Sequence, residues 1–288
     1  MGQATRFGYI VISPKWKLED ETYYRYSVKE HAAVLFSLQD AMRRFSVDSD
    51  RVFLTGHSEG GSAAWDIGLA HPDLWAGVIP ICATADKYVR RYWENPRDTG
   101  AFYFVHGERD FDRLDANKSE WNRYLQKPGF DVTISEYLGR GHEDYYEDIH
   151  RIFDWMNMHE RDFFPKEFEC VSLRPTDNFF WYVESSNFRD TTVLLPAEWP
   201  KKDVQVALTT AEVRDNNRID IRTAGANATV WLSPEIIDFS QPINGRINGQ
   251  EVKNETVRPD RRVLLEDVRR RADRLHPFWA KLESQSGR

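Results

Sequence analysis

A serine stands between glycines two positions before it and two after it, at Gly56-His57-Ser58-Glu59-Gly60. A serine hydroxyl is a weak nucleophile until a histidine takes its proton, and the histidine needs a carboxylate to fix its tautomer and steady its charge. The G-x-S-x-G spacing suits that chemistry on a sharp strand-to-helix turn. The turn exposes the hydroxyl above a sheet, and the glycines let helix and strand approach closely. The flanks agree: Val52-Phe53-Leu54-Thr55 reads as a strand, and a helix opening on small residues runs to Pro72. About one chain in ten of this length would carry the pattern by accident at average usage, so its partners decide its meaning.

The acid is expected at Asp110, just past a buried strand over Ala101–His106, where loops gather at the carboxyl end of an open parallel sheet. Aspartate is also a common turn-capping residue, and Glu108 and Asp112 are the alternatives. His142 follows the last strand through Gly139-Arg140-Gly141. Of eight histidines, it alone lies both after the acid and on a strand-to-helix loop. The backbone N–H of Glu59, at the start of a helix, is expected to donate to an oxyanion. A second donor is expected from a loop after an earlier strand, carrying His-Gly or Gly-Gly, and no such pair precedes Phe7. Trp16, His57, Tyr92, Trp93 and Tyr145 are candidates for lining a substrate cleft, with packing as the alternative for each. There is no H-E-x-x-H and no phosphate-binding glycine loop, and two cysteines cannot build a cysteine-rich site. Neither a metal nor a cofactor is expected.

Several elements must position these groups. Phe7–Pro14 is a short apolar run that predicts a buried parallel strand, and Lys15–Tyr26 reads as a loop. Ser27–Phe45 has helical spacing at Val28, Leu35, Leu38, Met42 and Phe45, with Ser27 and Glu30 placed for a capping box. Strands follow at Trp75–Cys82, Ala101–His106 and Val132–Leu138. Between and after them come a short helix and loop over Asp86–Thr99, a helix over Leu114–Leu125 and a helix over His142–His159. That alternation means a parallel sheet covered on both faces. Beyond Arg161 the pattern turns to period two. Strands are predicted at Phe179–Val183, Val204–Leu208, Ile219–Ile221 and Thr229–Leu232, with an Asn-Gly hairpin over Ile247–Val252. A helix over Val263–Leu275 closes the chain, with Leu264, Leu265, Val268 and Leu275 facing inward. The expected domains are residues 1–160 and 163–288.

The segments GHSEGG, HGERD and GRGHEDYYEDIHRIFDWM together resemble the α/β-hydrolases. The likeness is to the branch holding dienelactone hydrolases, polyhydroxybutyrate depolymerase-like esterases and prolyl-oligopeptidase-type serine peptidases. Gly61 completes the double-glycine form frequent there. The resemblance covers residues 7–158 and implies an α/β fold with Ser58, Asp110 and His142 as a triad. It also implies that three strands would precede Phe7, one of them lying between the Phe7 strand and the elbow strand. The sheet therefore reads as N-terminally truncated, with either a gap or direct pairing of the two remaining strands. Some esterase-like proteins of this type carry a β-rich C-terminal extension, and residues 163–288 look similar.

The function so implied is hydrolysis of carboxylic esters through an acyl-enzyme. The alternatives are a serine peptidase of the prolyl-oligopeptidase type and a non-catalytic binding protein or inactive fragment. The partner is then a small-molecule or polymeric ester or peptide. The 288 residues, 41% hydrophobic and 30% charged, describe a globular chain, and the net charge of −7 disfavours nucleic acid. No run is long enough to span a membrane, and the first residues lack a secretory pattern. Compartment and oligomeric state stay unassigned. Cys82 and Cys170 are expected as free buried thiols.

Overall fold

Along Ala101–Gly107 every residue is buried, and successive side chains point to opposite faces of a sheet. Phe102 and Phe104 pack on one side against Trp65, Trp121 and Tyr124, while Ala101, Tyr103 and Val105 join Ile152, Phe153, Trp155 and Met156 on the other. A strand apolar on both faces needs helices on both, and the first half of the chain supplies them. The computed structural model describes residues 2–17, 22–201 and 204–285. It forms two compact units, Met1–Arg161 and Asp162–Arg288.

The first unit runs α1 (Gln3–Arg6), α2 (Val28–Arg44), β1 (Phe53–His57), α3 (Glu59–Ala70), β2 (Gly77–Ile81), α4 (Val89–Tyr92), β3 (Ala101–Gly107), α5 (Phe111–Gln126), β4 (Asp131–Tyr137) and α6 (Ile149–Met156). The sheet order is β1-β2-β3-β4, and all three pairings are parallel. α2 starts as its sequence predicts: Ser27 accepts from the Glu30 N–H, and the Glu30 carboxylate accepts from the Ser27 N–H at 2.8 Å. α3 is buried from Gly61 to Ala70.

The expected strand over Phe7–Pro14 is absent. A strand exists only by pairing, and β1 is the edge of its sheet among the described residues. Phe7 instead stacks on Phe153 at 4.7 Å, and Tyr9 packs against Phe53 at 6.0 Å. Ile10, Val11 and Ile12 are left 56%, 73% and 42% exposed. Direct pairing with the elbow strand does not occur. Residues 18–21 of the expected Lys15–Tyr26 loop lie outside the described residues.

The second unit contains β5 (Glu167–Ser172), β6 (Phe179–Phe180), β7 (Val183–Ser186), β8 (Ala207–Arg214), β9 (Arg218–Thr223), β10 (Asn227–Leu232), β11 (Ile243–Ile247), β12 (Gln250–Glu255), α7 (Arg261–Arg271) and β13 (Ala280–Gln285). Two sheets, β12-β11-β9-β8-β5 and β13-β10-β7-β6, send alternate residues into one core. Phe168 and Cys170, then Ile219 and Ile221, come from the first sheet; Ala228 and Val230 come from the second. Pairing is antiparallel except between β9 and β11. An α/β unit with a mostly parallel sheet, followed by a smaller β-rich unit, is thus the fold class.

Several boundaries move. The expected strand over Phe179–Val183 is a hairpin, because Trp181 turns the chain at φ +50°. The strand expected at Val204–Leu208 begins at Ala207. The helix expected over Val263–Leu275 is α7, which ends at Arg271; its buried face is Val263 and Asp267, Leu265 is exposed, and Leu275 lies exposed beyond its end. The reason is polar: Asp267 is held in place by Arg271 at 2.6 Å and by the Phe278 N–H at 3.0 Å. Cys82 and Cys170 are both buried, and neither takes part in a disulfide.

Candidate active site

β1 delivers the chain to Ser58, whose backbone sits at φ +56°, ψ −119° before α3 begins at Glu59. That conformation is strained for any residue with a Cβ and is fixed from both sides. The Ser58 N–H donates to the Ile81 carbonyl at 2.9 Å, and the Ser58 carbonyl accepts from the Ser62 N–H at 3.0 Å. Two glycines make the turn possible. A Cβ on Gly56 would lie 2.1 Å from the Gly60 carbonyl oxygen, and one on Gly61 would lie 2.6 Å from that of Ile81. Gly60, the second glycine of the spacing, has nothing within 4 Å of such a Cβ. The steric demand falls on Gly56 and Gly61, one position later than the spacing implies.

α5 begins at Phe111, earlier than expected, so Asp110 occupies its N-cap position. Its side chain makes no capping bond. Asp110 Oδ2 instead accepts from His142 Nδ1 at 2.8 Å. With that proton on Nδ1, His142 Nε2 is the acceptor for the Ser58 hydroxyl, 2.9 Å away. Neither alternative acid takes that place. Glu108 accepts the Gly139 N–H at 2.6 Å, and Asp112 is an exposed residue in the first turn of α5.

His142 lies on an irregular segment, because α6 starts only at Ile149. Side chains brace that segment. Arg140 pairs with Glu143 at 2.6 Å and with Glu147, and its guanidinium lies over the rings of Tyr145 and Tyr137. Tyr145 is buried, at φ +51°, and donates its hydroxyl to the Gly141 carbonyl. The Arg109 N–H donates to the Arg140 carbonyl at 2.7 Å. His57 Nε2 meets the Glu143 carbonyl at 2.9 Å, which assigns it as the donor, and its ring centroid is 5.1 Å from that of His142.

The Glu59 side chain is drawn to the other side. It accepts from the Tyr24 N–H at 2.8 Å and pairs with Arg113 at 3.1 Å. Tyr24 is itself fixed by a buried contact, its hydroxyl donating to Asp66 at 2.6 Å beside the His31–Asp66 pair at 2.9 Å. Trp16 packs edge-on to Tyr24 at 5.8 Å. Behind Asp110 lies His106, 1% exposed; its Nε2 lies 3.7 Å from Asp110 Oδ2 and has no hydrogen-bond partner. Burial pulls its pKa below the ordinary histidine value, against the pull of Asp110, so it is neutral.

Of the five expected lining residues, His57 and Tyr145 lie at the His142 segment as supports, and Trp16 reaches the elbow only through Tyr24 and Glu59. Tyr92 and Trp93 do not approach Ser58. Tyr92 is fully buried against Tyr88. Trp93 packs on Phe130, the residue before β4, and so lies at the amino end of the sheet. Ser58, Asp110 and His142 follow the carboxyl ends of β1, β3 and β4. Sequence reasoning missed Tyr24, His106, Arg113 and Arg140. Only Arg113 left a signal, three residues beyond Asp110 on a helix that faces the elbow.

No protein-family model matches the sequence, and no curated protein matches it. Solved structures do. SOBER1 of Arabidopsis thaliana is 17% identical with a TM-score of 0.39, over 50% of this chain and 69% of that one. Esterase PE8 gives 15%, 0.39, 50% and 69% in the same order. The S-formylglutathione hydrolase FrmB of Staphylococcus aureus gives 18%, 0.38, 46% and 61%. The chain spans 64% of the length of a SOBER1 variant. In its own geometry the first unit has an α/β-hydrolase type of fold, with a parallel sheet, a serine on a strained strand-to-helix turn, and an acid and a histidine after later strands.

Proposed function

We propose that the first unit is a serine hydrolase that cleaves carboxylic esters through an acyl-enzyme. The observation that carries this reading is the unbroken chain Ser58 Oγ–His142 Nε2 at 2.9 Å and His142 Nδ1–Asp110 Oδ2 at 2.8 Å. Ser58 attacks the ester carbonyl while its proton passes to His142 Nε2. Asp110 keeps the other imidazole proton on Nδ1 and steadies the imidazolium that forms. The oxyanion of the tetrahedral intermediate lies toward the Glu59 N–H, where the first turn of α3 adds its dipole. His142 then protonates the departing alkoxide. Water, deprotonated by the same histidine, releases the acid.

A fluorophosphonate probe tests the reading without knowledge of the substrate. Ser58 is expected to be labelled, and Ser58→Ala is expected to abolish labelling. Folded native protein that takes no label would overturn the assignment. Hydrolysis rates on paired ester and amide substrates of one acyl group then decide between an esterase and a peptidase.

A further inference from the structure

Cys82 takes no part in the chemistry above, yet it lies against it. The residue follows β2 at φ +48°, is fully buried, and holds its Sγ 3.6 Å from the Glu143 carbonyl, next to His142. One ligand atom each of Cys82, Asp110 and His142 lie within 4.8 Å of one another. Sulfur, imidazole nitrogen and carboxylate oxygen are together a donor set for Zn²⁺ and similar thiophilic dications. At ligand distances of about 2.0–2.3 Å, a tetrahedral site needs ligand–ligand edges of about 3.5 Å. The 2.8 Å Asp110–His142 edge would open and the longest possible edge would close, each by about 1 Å.

We propose that Cys82, Asp110 and His142 form a binding site for a thiophilic divalent cation that switches the triad off. The inhibitory half of this rests on the hydrolase reading; the binding half does not. The cation takes His142 Nδ1 in place of its proton, and the proton of the neutral imidazole then resides on Nε2. That nitrogen becomes a donor facing Ser58 Oγ and can no longer accept the serine's proton. The Cys82 thiol loses its proton to solvent, so thiolate and carboxylate together balance the double charge. No electron is transferred.

The surroundings suit such an ion. His106 Nε2, buried and without a hydrogen-bond partner, lies 3.7 Å from Asp110 Oδ2. Arg113 donates to the Cys82 carbonyl at 3.3 Å, but its charge is answered by Glu59 at 3.1 Å. Cys82 has no open face, whereas the His142 side chain is 38% exposed, so entry follows movement of the histidine and inhibition should develop slowly.

The test is a Co²⁺ titration of the whole chain, read by the near-ultraviolet thiolate-to-cobalt absorption, with fluorophosphonate labelling in parallel. One Co²⁺ per chain is expected to give the band, and Zn²⁺ to displace it. Cys82→Ser and Cys82→Ala should lose the band, and His142→Ala should weaken cobalt binding at least tenfold. Cys170→Ser should keep the band. Zn²⁺ should slow labelling of the native chain at least tenfold, reversibly with a chelator, and have no effect on labelling in Cys82→Ala. Absence of the band, its survival in both Cys82 variants, or zinc inhibition that persists without Cys82 would each overturn the proposal. Native protein that shows the band but never takes the probe would sink the hydrolase reading and the inhibition with it, and leave the cation site standing.

Discussion

The two arms that bring Ser58 and His142 together are held in opposite ways. The serine arm is fixed by backbone: carbonyls and N–H groups of β2 and α3, and two positions where a Cβ cannot fit. The histidine arm has no regular structure between β4 and the turn before α6. It is fixed by side chains, chiefly one half-buried arginine and two carboxylates. Backbone fixation is insensitive to salt and tolerates almost no substitution. Charge fixation at the surface is weak for each pair, adjustable, and screened by ions. Ser58 is therefore set by main-chain geometry, and His142 by contacts that salt and single substitutions can weaken.

That contrast can be attacked from several sides. Asp110→Asn removes the group that dictates the imidazole tautomer and leaves both arms in place. A loss of about 10⁴-fold in labelling rate is expected, with the unfolding midpoint nearly unchanged. If Asp112→Asn produced the loss instead, the acid would be reassigned. Gly61→Ala forces a methyl against the Ile81 carbonyl, and the upper end of the ~1–3 kcal/mol typical of overpacking is expected in denaturant unfolding. Gly60→Ala, in the same turn, should be neutral or slightly stabilising, because the position is helical and open; equal losses at the two sites would refute a backbone-fixed arm.

Arg140→Ala should act on the other arm alone. Labelling is expected to slow several-fold with little change in melting, and high salt should slow the native chain in the same direction. A native rate independent of salt would mean that the arginine braces nothing. The smallest effect concerns His106, which is neutral in the fold because burial lowers its pKa. The unfolded chain then binds the extra proton as pH falls below the ordinary histidine value of about 6.5, so this group subtracts stability on the acid side. His106→Phe should flatten the decline in melting temperature between neutral and mildly acid pH.

Sequence and structure agree where a local rule is sufficient. The Ser27–Glu30 capping box and the elbow serine are read from neighbours a few residues apart, and the period-two runs of the second unit are read from alternation. Agreement fails where a distant partner decides. Ile10-Val11-Ile12 has every property of a strand except a neighbour, and pairing is not a property of a segment. Tyr92 and Trp93 stand among arginines, as ligand-facing aromatics often do, yet one is packed in the interior and the other sits at the wrong end of the sheet. Asp110 and His142 were legible because chain order and strand ends constrain them. Arg140 was not, since nothing in Gly139-Arg140-Gly141 distinguishes a brace from a solvated turn residue.

The backbone of Ser58 has a consequence for how this chain can change over time. At φ +56° a residue with a side chain bears strain of ~1–3 kcal/mol, whereas glycine adopts the region freely at an entropic cost of ~0.5–1 kcal/mol. Thermodynamics alone therefore favours glycine at the very position where the proposed nucleophile stands. A lineage that ceased to use the site, or a laboratory selection rewarding thermal tolerance alone, would meet a single downhill substitution that erases the hydroxyl and leaves the fold more stable. Serine at position 58 therefore carries a cost in stability that glycine would not.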